Sequence, residues 1–313
     1  MKVAFLFPGQ GAQQPGMLNG LTNHAAVMET FRQARQIIGQ DPQIWDRDLA
    51  SLRTNLIQMY IFIAGVAVSR LLEDRGAVPD AVAGLSLGCF TAAVVSGALE
   101  FEQALRIVRL RGELMQEAYP AGYGISAIVG LTEHQLSLIV EQSSTPEAPV
   151  YVTNVNAPQQ VLIAGSDVGM ELVSRRALAV GAQKAERLQI NVPSHCALLR
   201  TISERLASTL AKVQFSAPKI PYISNRRGRL LRDASSIRDD LWTSLQYPVR
   251  WHDATTVLFE LGVRLFVELP PGQTLTDLAT ASFPDARAIA VENNRLDSVI
   301  KLIKREKSAD RIS

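Results

Sequence analysis

Short apolar runs alternate along the chain with longer segments of helical spacing. Val3-Ala4-Phe5-Leu6-Phe7 is an unbroken apolar run that reads as a buried strand and stops at Pro8. The Gly-rich stretch Pro8-Gly9-Gln10-Gly11-Ala12-Gln13 follows as a loop. Helical spacing then predicts a helix from Asn23 to Ile38, capped by Asn23, and a long one from Asn55 to Arg75, ended by Gly76. Ala81 to Gly84 reads as a second short strand. A sharp turn through Ser86-Leu87-Gly88 leads from it into a small-residue helix, Cys89 to Val95, and a further helix covers Phe101 to Ala118. Strand, tight turn and helix in alternation imply a parallel α/β core.

Residues 124–191 follow another pattern. Ile125 to Leu131 reads as a strand, and Thr132-Glu133-His134-Gln135 opens a helix to Gln142 with a capping box. Val150 to Val155 and Gln160 to Ala164 pair as a hairpin. A helix from Asp167 to Gly181 and a strand from Gln183 to Ile190 complete the order β-α-β-β-α-β, which is ferredoxin-like. The expected division is a core of residues 1–123 and 192–313 with a subdomain inserted at 124–191. After the return at Pro193, a helix is expected over Ala197 to Val213 and a strand over Leu265 to Leu269. Lys301 to Ser313 is charged and reads as a fraying helix and tail.

Composition narrows the function. The 313 residues are 47% apolar and 20% charged, enough for a full core in one or two domains. With 32 Lys+Arg against 30 Asp+Glu, the net charge of +2 lacks the basic excess of a nucleic-acid binder. Two cysteines exclude a disulfide scaffold and a four-Cys zinc site, and no cluster has metal-ligand spacing. The opening apolar run is too short for a signal peptide. Ile61 to Val68, the longest apolar stretch, is about a third of a membrane-spanning helix. A cytoplasmic protein without membrane or nucleic-acid partners is the expectation.

The strongest chemical signal is Gly84-Leu85-Ser86-Leu87-Gly88. G-x-S-x-G between a strand and a helix is the arrangement of a nucleophile elbow, which lifts the serine hydroxyl out of a strained turn. An ordinary tight turn with a surface serine is the plain alternative. A serine nucleophile needs a base. His24, His134 and His252 each fall near a helix start, whereas His195 stands where the chain leaves the insertion for the core. That junction would line a cleft, so His195 is the best placed of the four.

Arg111 breaks a pattern. On the helix Phe101–Ala118 it falls in the middle of the face formed by Ala104, Ile107, Val108, Met115 and Ala118. A buried guanidinium demands an anion, either a structural acid or a ligand carboxylate. The loop Gly9 to Gly16 fails the dinucleotide pattern G-x-G-x-x-G, because Gln14 stands at the third glycine position. Its backbone N–H groups suit half of an oxyanion hole. Cys89 and Cys196 read as small packed residues. Arg226, Arg227, Arg229 and Arg232 form the densest basic patch, either a solvated loop or a contact for coenzyme phosphates or an acidic carrier protein.

Together the segments FPGQGAQ (7–13), GLSLG (84–88), RLRGELMQEA (109–118), NAPQQVLIAG (156–165), VPSHCAL (192–198) and PVRW (248–251) resemble the malonyl-CoA:acyl-carrier-protein transacylase family over nearly the whole chain. The resemblance implies an α/β-hydrolase-like core with an inserted ferredoxin-like subdomain. It also implies Ser86 as nucleophile, His195 as base and Arg111 as the clamp on the malonyl carboxylate. The backbone N–H groups of Gln10 and Leu87 would form the oxyanion hole. The backbone carbonyl of Ser244, where the family often carries Gln, would orient the histidine. Two positions depart from the family elbow GHSLGE: Leu85 replaces its His and Cys89 its Glu. The GLS elbow is more similar to the epsilon subunit of malonate decarboxylase, which loads that enzyme's own carrier subunit.

The implied reaction moves malonyl from malonyl-CoA to a carrier-protein thiol through malonyl-Ser86, with no tightly bound cofactor. The malonate decarboxylase carrier is the favoured acceptor, and a carrier of fatty acid or polyketide synthesis the alternative. A serine hydrolase or thioesterase on the same elbow, and a non-catalytic carrier-docking subunit, are the competing classes.

Overall fold

A computed structural model describes residues 2–17, 24–47, 52–119 and 121–309. The chain opens with β1 (Lys2–Phe7), α1 (Ala25–Ile38), a 3-10 turn (Pro42–Arg47), α2 (Thr54–Asp74), β2 (Ala81–Gly84), α3 (Gly88–Val95) and α4 (Phe101–Ala118). A second unit holds β3 (Tyr123–Val129), α5 (Glu133–Glu141), β4 (Val150–Ala157), β5 (Gln160–Ser166), α6 (Asp167–Ala179) and β6 (Lys184–Arg187). The return comprises α7 (Arg200–Leu210), β7 (Tyr222–Ile223), β8 (Leu230–Leu231), α8 (Ala234–Thr243) and α9 (Trp251–Glu260). It ends with β9 (Val263–Glu268), α10 (Thr274–Ser282), β10 (Arg287–Ala290) and α11 (Leu296–Ala309).

The larger sheet has the order β10-β9-β1-β2-β7-β8, with every pair parallel except β7–β8. β1 carries an unbroken buried run because helices cover both faces of this sheet. α2 has the length and composition of a membrane span, yet Met59 to Ser69 are all buried and it is the central helix of the larger core.

The smaller sheet, β4-β5-β3-β6, is antiparallel and encloses a separate apolar cluster around Ile128, Val161, Ile163 and Met170. Its order is the ferredoxin-like one. We propose that residues 124–191 are the inserted unit, a reading that this sheet and its own core support. The unit is tied to the larger one on one side. Val155 N–H donates to Val249 O (2.9 Å) and Val249 N–H to Thr153 O (2.8 Å). Arg250 on the core side forks onto Glu133 at the start of α5 (2.7 and 2.8 Å).

Four expectations are corrected. The anticipated cap Asn23 lies outside the described residues, and His24 occupies the N-cap of α1, its Nδ1 accepting from Ala26 N–H (3.3 Å). The last strand of the insertion stops at Arg187. The Arg187 guanidinium turns back and donates to the carbonyls of Leu188 (2.6 Å), Ile190 (2.9 Å) and Tyr123 (2.9 Å), replacing a longer ladder. The expected helix Ala197–Val213 divides into a 3-10 turn, Ala197–Leu199, and α7. Residues 301–309 do not fray. Val299, Ile300 and Ile303 bury one stripe of α11, and Lys307 Nζ donates to Val78 O (2.8 Å) and pairs with Asp80 (3.0 Å).

Candidate active site

β2 aims at the site, and the turn after it is made by two close approaches. A Cβ on Gly84 would lie 2.0 Å from the carbonyl carbon of Gly88, and one on Gly88 2.1 Å from Phe7 O. No side chain fits at either position. Ser86 between them holds φ +55°, a left-handed conformation costly for a non-glycine residue. Its side chain leaves the turn at the N-terminal end of α3, and Leu87 is that helix's N-cap. Gly88→Ala is expected to lower the melting temperature by more than 10 °C or prevent folding, as thermal denaturation would show, because the clash is with backbone.

The structure brings Ser86, His195, Arg111 and Ser244 together from four separate segments. Ser86 Oγ lies 2.7 Å from His195 Nε2, and His195 Nδ1 lies 2.5 Å from Ser244 O. His195 is 1% exposed and, like Ser86, has a positive φ of +58°. Burial pushes its pKa down to about 3; the Arg111 charge adds to this and the Ser244 carbonyl opposes it. The ring is therefore neutral at neutral pH. With Nδ1–H donating to the Ser244 carbonyl, Nε2 keeps its lone pair for the Ser86 hydroxyl. Ser244 caps the end of α8, its N–H donating to Asp240 O (3.0 Å), which turns its own carbonyl toward the ring.

Arg111 is 2% exposed and has no carboxylate partner among the described residues. Nη1 donates to Gln58 Oε1 (2.7 Å), Nη2 lies 3.3 Å from Ser86 Oγ, and Nε has no partner. Burial lowers its pKa to about 10, so it stays charged. α2 and α4 meet closely enough to place Gln58 beside it, because Gly112 has no side chain: a Cβ there would lie 2.3 Å from Asn55 Cα. Among the described residues, then, no structural acid answers the Arg111 guanidinium.

Ser86, Arg111, His195, Gln58 and Gln10 line one cleft of about 700 Å³ between the two units. The loop Pro8–Ala12 forms its rim, with Gly9 pressed against Leu85 O. Among the described residues the N–H groups of Gln10 and Leu87 have no acceptor. Leu85 faces the cleft, whereas Cys89 is fully buried behind the elbow, where burial pushes its thiol well above the ordinary thiol range. Cys196 is likewise buried. His134 is exposed, and His24 and His252 lie at helix starts away from the cleft. Arg226 stacks on Tyr247 (3.8 Å), and of the basic patch Arg226 and Arg227 line a different, small hollow.

Two site residues were not singled out from the sequence. Gln58, fully buried in α2, carried a signal of the same kind as Arg111: a polar residue inside an apolar run. Asn225, 2% exposed, carried none. It reaches Ser86 only through the fold: with its amide assigned so that the NH2 faces the Gly84 carbonyl, the NH2 donates to Gly84 O and the oxygen accepts from Ser86 N–H, both at 3.2 Å.

A serine hydroxyl on a neutral imidazole, beside a charge awaiting its counter-ion, can carry an acyl group that ends in an anion. Residues 4–309 match the acyl transferase domain family, and the chain is an acyltransferase. It is 38% identical over 283 residues to the malonyl CoA-acyl carrier protein transacylase of Salmonella typhimurium, covering 88% of this chain and 91% of that one. The structure of the same enzyme from Coxiella burnetii superposes with a TM-score of 0.92 at 33% identity, over 97% of this chain and 98% of that one. A malonyl-transacylase solved in complex with a type II PKS acyl-carrier protein superposes with a TM-score of 0.91 at 33% identity, over 97% and 100%. The protein belongs to the malonyl CoA-acyl carrier protein transacylase family.

Proposed function

We propose that this protein moves a malonyl group from malonyl-CoA to the thiol of an acyl carrier protein through an ester on Ser86. The observation that carries the reading is Arg111, buried, charged, 3.3 Å from Ser86 Oγ and without a carboxylate partner among the described residues. In the first half-reaction His195 Nε2 takes the Ser86 proton as Oγ attacks the thioester carbonyl. The N–H groups of Gln10 and Leu87 receive the developing oxyanion. The CoA thiol leaves with the proton from His195, and malonyl-Ser86 remains. In the second half the carrier thiol gives its proton to His195, attacks the ester and restores the Ser86 hydroxyl. The CoA thioester and the carrier thiol both enter as substrates. A cytoplasmic setting fits this chemistry.

The relatives named above support a carrier of fatty acid or polyketide synthesis as acceptor, ahead of the decarboxylase carrier favoured from the elbow sequence alone. Leu85 on the cleft wall keeps the decarboxylase reading as the second one. A competition decides between them: the protein, malonyl-CoA and both carriers are mixed, and malonylation is followed by mass spectrometry. The fatty-acid-type carrier is expected to be loaded at least tenfold faster. The reverse order would transfer the assignment to the decarboxylase. Release of free malonate faster than loading of either thiol would make the protein a hydrolase. Absence of a malonyl adduct that Ser86→Ala removes would leave only carrier docking.

A further inference from the structure

Behind the elbow lies a second buried polar cluster that the reaction does not use. Asp240 of α8 is 5% exposed and accepts four hydrogen bonds. Oδ2 receives Tyr222 O–H (3.0 Å) and Asn225 N–H (3.0 Å); Oδ1 receives Ser224 O–H and Arg226 N–H (3.1 Å). All four groups donate to the carboxylate, so it is answered as an anion although no cation among the described residues pairs with it. Two of the donors are main-chain N–H groups of one segment, 225–226. The segment is fixed again from the other side, where Arg250 N–H donates to Asn225 O (2.9 Å). Asn225 held in this way presents its side-chain amide to the elbow, where the orientation assigned from its neighbours, NH2 toward Gly84 O and oxygen toward Ser86 N–H, bridges the two at 3.2 Å each. The same anchoring fixes the end of α8, where Ser244 offers its carbonyl to His195.

We infer that Asp240 is a positioning residue for the catalytic pair, acting through Asn225 on the Ser86 turn and through the end of α8 on the His195 acceptor. Ser86 sits at φ +55°, and such a turn persists only where its surroundings over-determine it. The Asn225 bridge spans the residues on either side of Leu85 and resists relaxation of the turn. An amide in place of the carboxylate cannot do the work of Asp240. Its NH2 would face a main-chain N–H whichever way it turned, so one of the two bonds to 225–226 would be lost.

The inference rests on Ser86 being the nucleophile, so wild-type protein is first shown to form a malonyl adduct at Ser86. No adduct would overturn the functional reading instead. Single-turnover malonylation by malonyl-CoA is then measured for Asn225→Ala, Asp240→Asn and the double variant, together with KM. Each single change is expected to slow Ser86 malonylation about 10–100-fold, with KM for malonyl-CoA within about twofold of wild type. The double variant is expected to be no slower than the slower single one, because both changes cut one chain of contacts. Wild-type malonylation by Asn225→Ala would overturn the inference, and so would losses that multiply in the double variant. Should Asp240→Asn not fold, Ser224→Ala replaces it by stripping one donor from Oδ1. The same slowing at unchanged KM is expected, and an unchanged rate would overturn the role of Asp240.

Discussion

Arg111→Ala is expected to lose malonyl transfer by about 10²–10³-fold while acetyl transfer stays level or rises. Truncating one partner of a buried, hydrogen-bonded charge pair costs about 3–4 kcal/mol, and each 1.4 kcal/mol is about tenfold in rate. The malonyl carboxylate would lose its counter-ion and still be desolvated in the cleft. An acetyl group never had that partner. In the wild type it would leave the guanidinium buried with only Gln58 and Ser86 for company, a penalty that the variant removes. The measurement is the ratio of malonyl to acetyl transfer rates; equal losses for the two acyl groups would refute the clamp. A companion change sharpens the point. Arg111→Met replaces an uncompensated buried charge with an apolar side chain of similar length, a kind of exchange that is often neutral or stabilising. It is expected to hold or raise the melting temperature while abolishing malonyl selectivity, so that stability and function would be seen to pull apart at one position.

His195→Gln is expected to slow formation of malonyl-Ser86 by about 10³–10⁴-fold, the usual scale for loss of the base from such a pair. The pH dependence is more diagnostic. Burial and the Arg111 charge hold the folded imidazole far below its ordinary value of 6.5, at about 3. It therefore remains a base as the solution is acidified. Acylation of Ser86 in the wild type should stay flat from pH 8 down to about 5, with no fall centred near 6.5. A rate that halves near pH 6.5 would show an imidazole open to water. Stability should move the other way. Below pH 6.5 the unfolded chain takes up a proton on this ring that the folded chain refuses, so folding weakens as pH drops toward 3. His195→Gln should lose less of its melting temperature between pH 6.5 and 5 than the wild type does.

Much of this site could be read from the chain because local rules leave visible marks. The elbow announces itself through Gly84 and Gly88, whose missing side chains are forced by backbone contacts within a few residues of sequence or with the first strand. Arg111 is legible because the 3.6-residue period makes a charge on an apolar face conspicuous. The capping box at Thr132 and Gln135 forms as its spacing requires. Contacts fixed by long-range topology were out of reach. Asn225 meets Ser86 across 139 positions, and nothing in Ser224-Asn225-Arg226 marks that encounter. Ser244 was located only through family resemblance, since a backbone carbonyl has no sequence signature. Element ends were also poorly legible where side chains settle them, as Arg187 does by feeding its guanidinium to the carbonyls that a longer strand would have paired.

The seam between the two units has a mechanical meaning. On one side they are stitched by two main-chain bonds at Thr153, Val155 and Val249 and by the Arg250 fork onto Glu133. That side behaves as the spine of a book, because it cannot widen without breaking all of them together. At the fore-edge the loop Pro8–Ala12 and the segment Leu188–Ile190 both line the cleft, with no main-chain ladder between them among the described residues. Movement of those two lips would break no main-chain bond of the seam, whereas loosening the spine would break its bonds together.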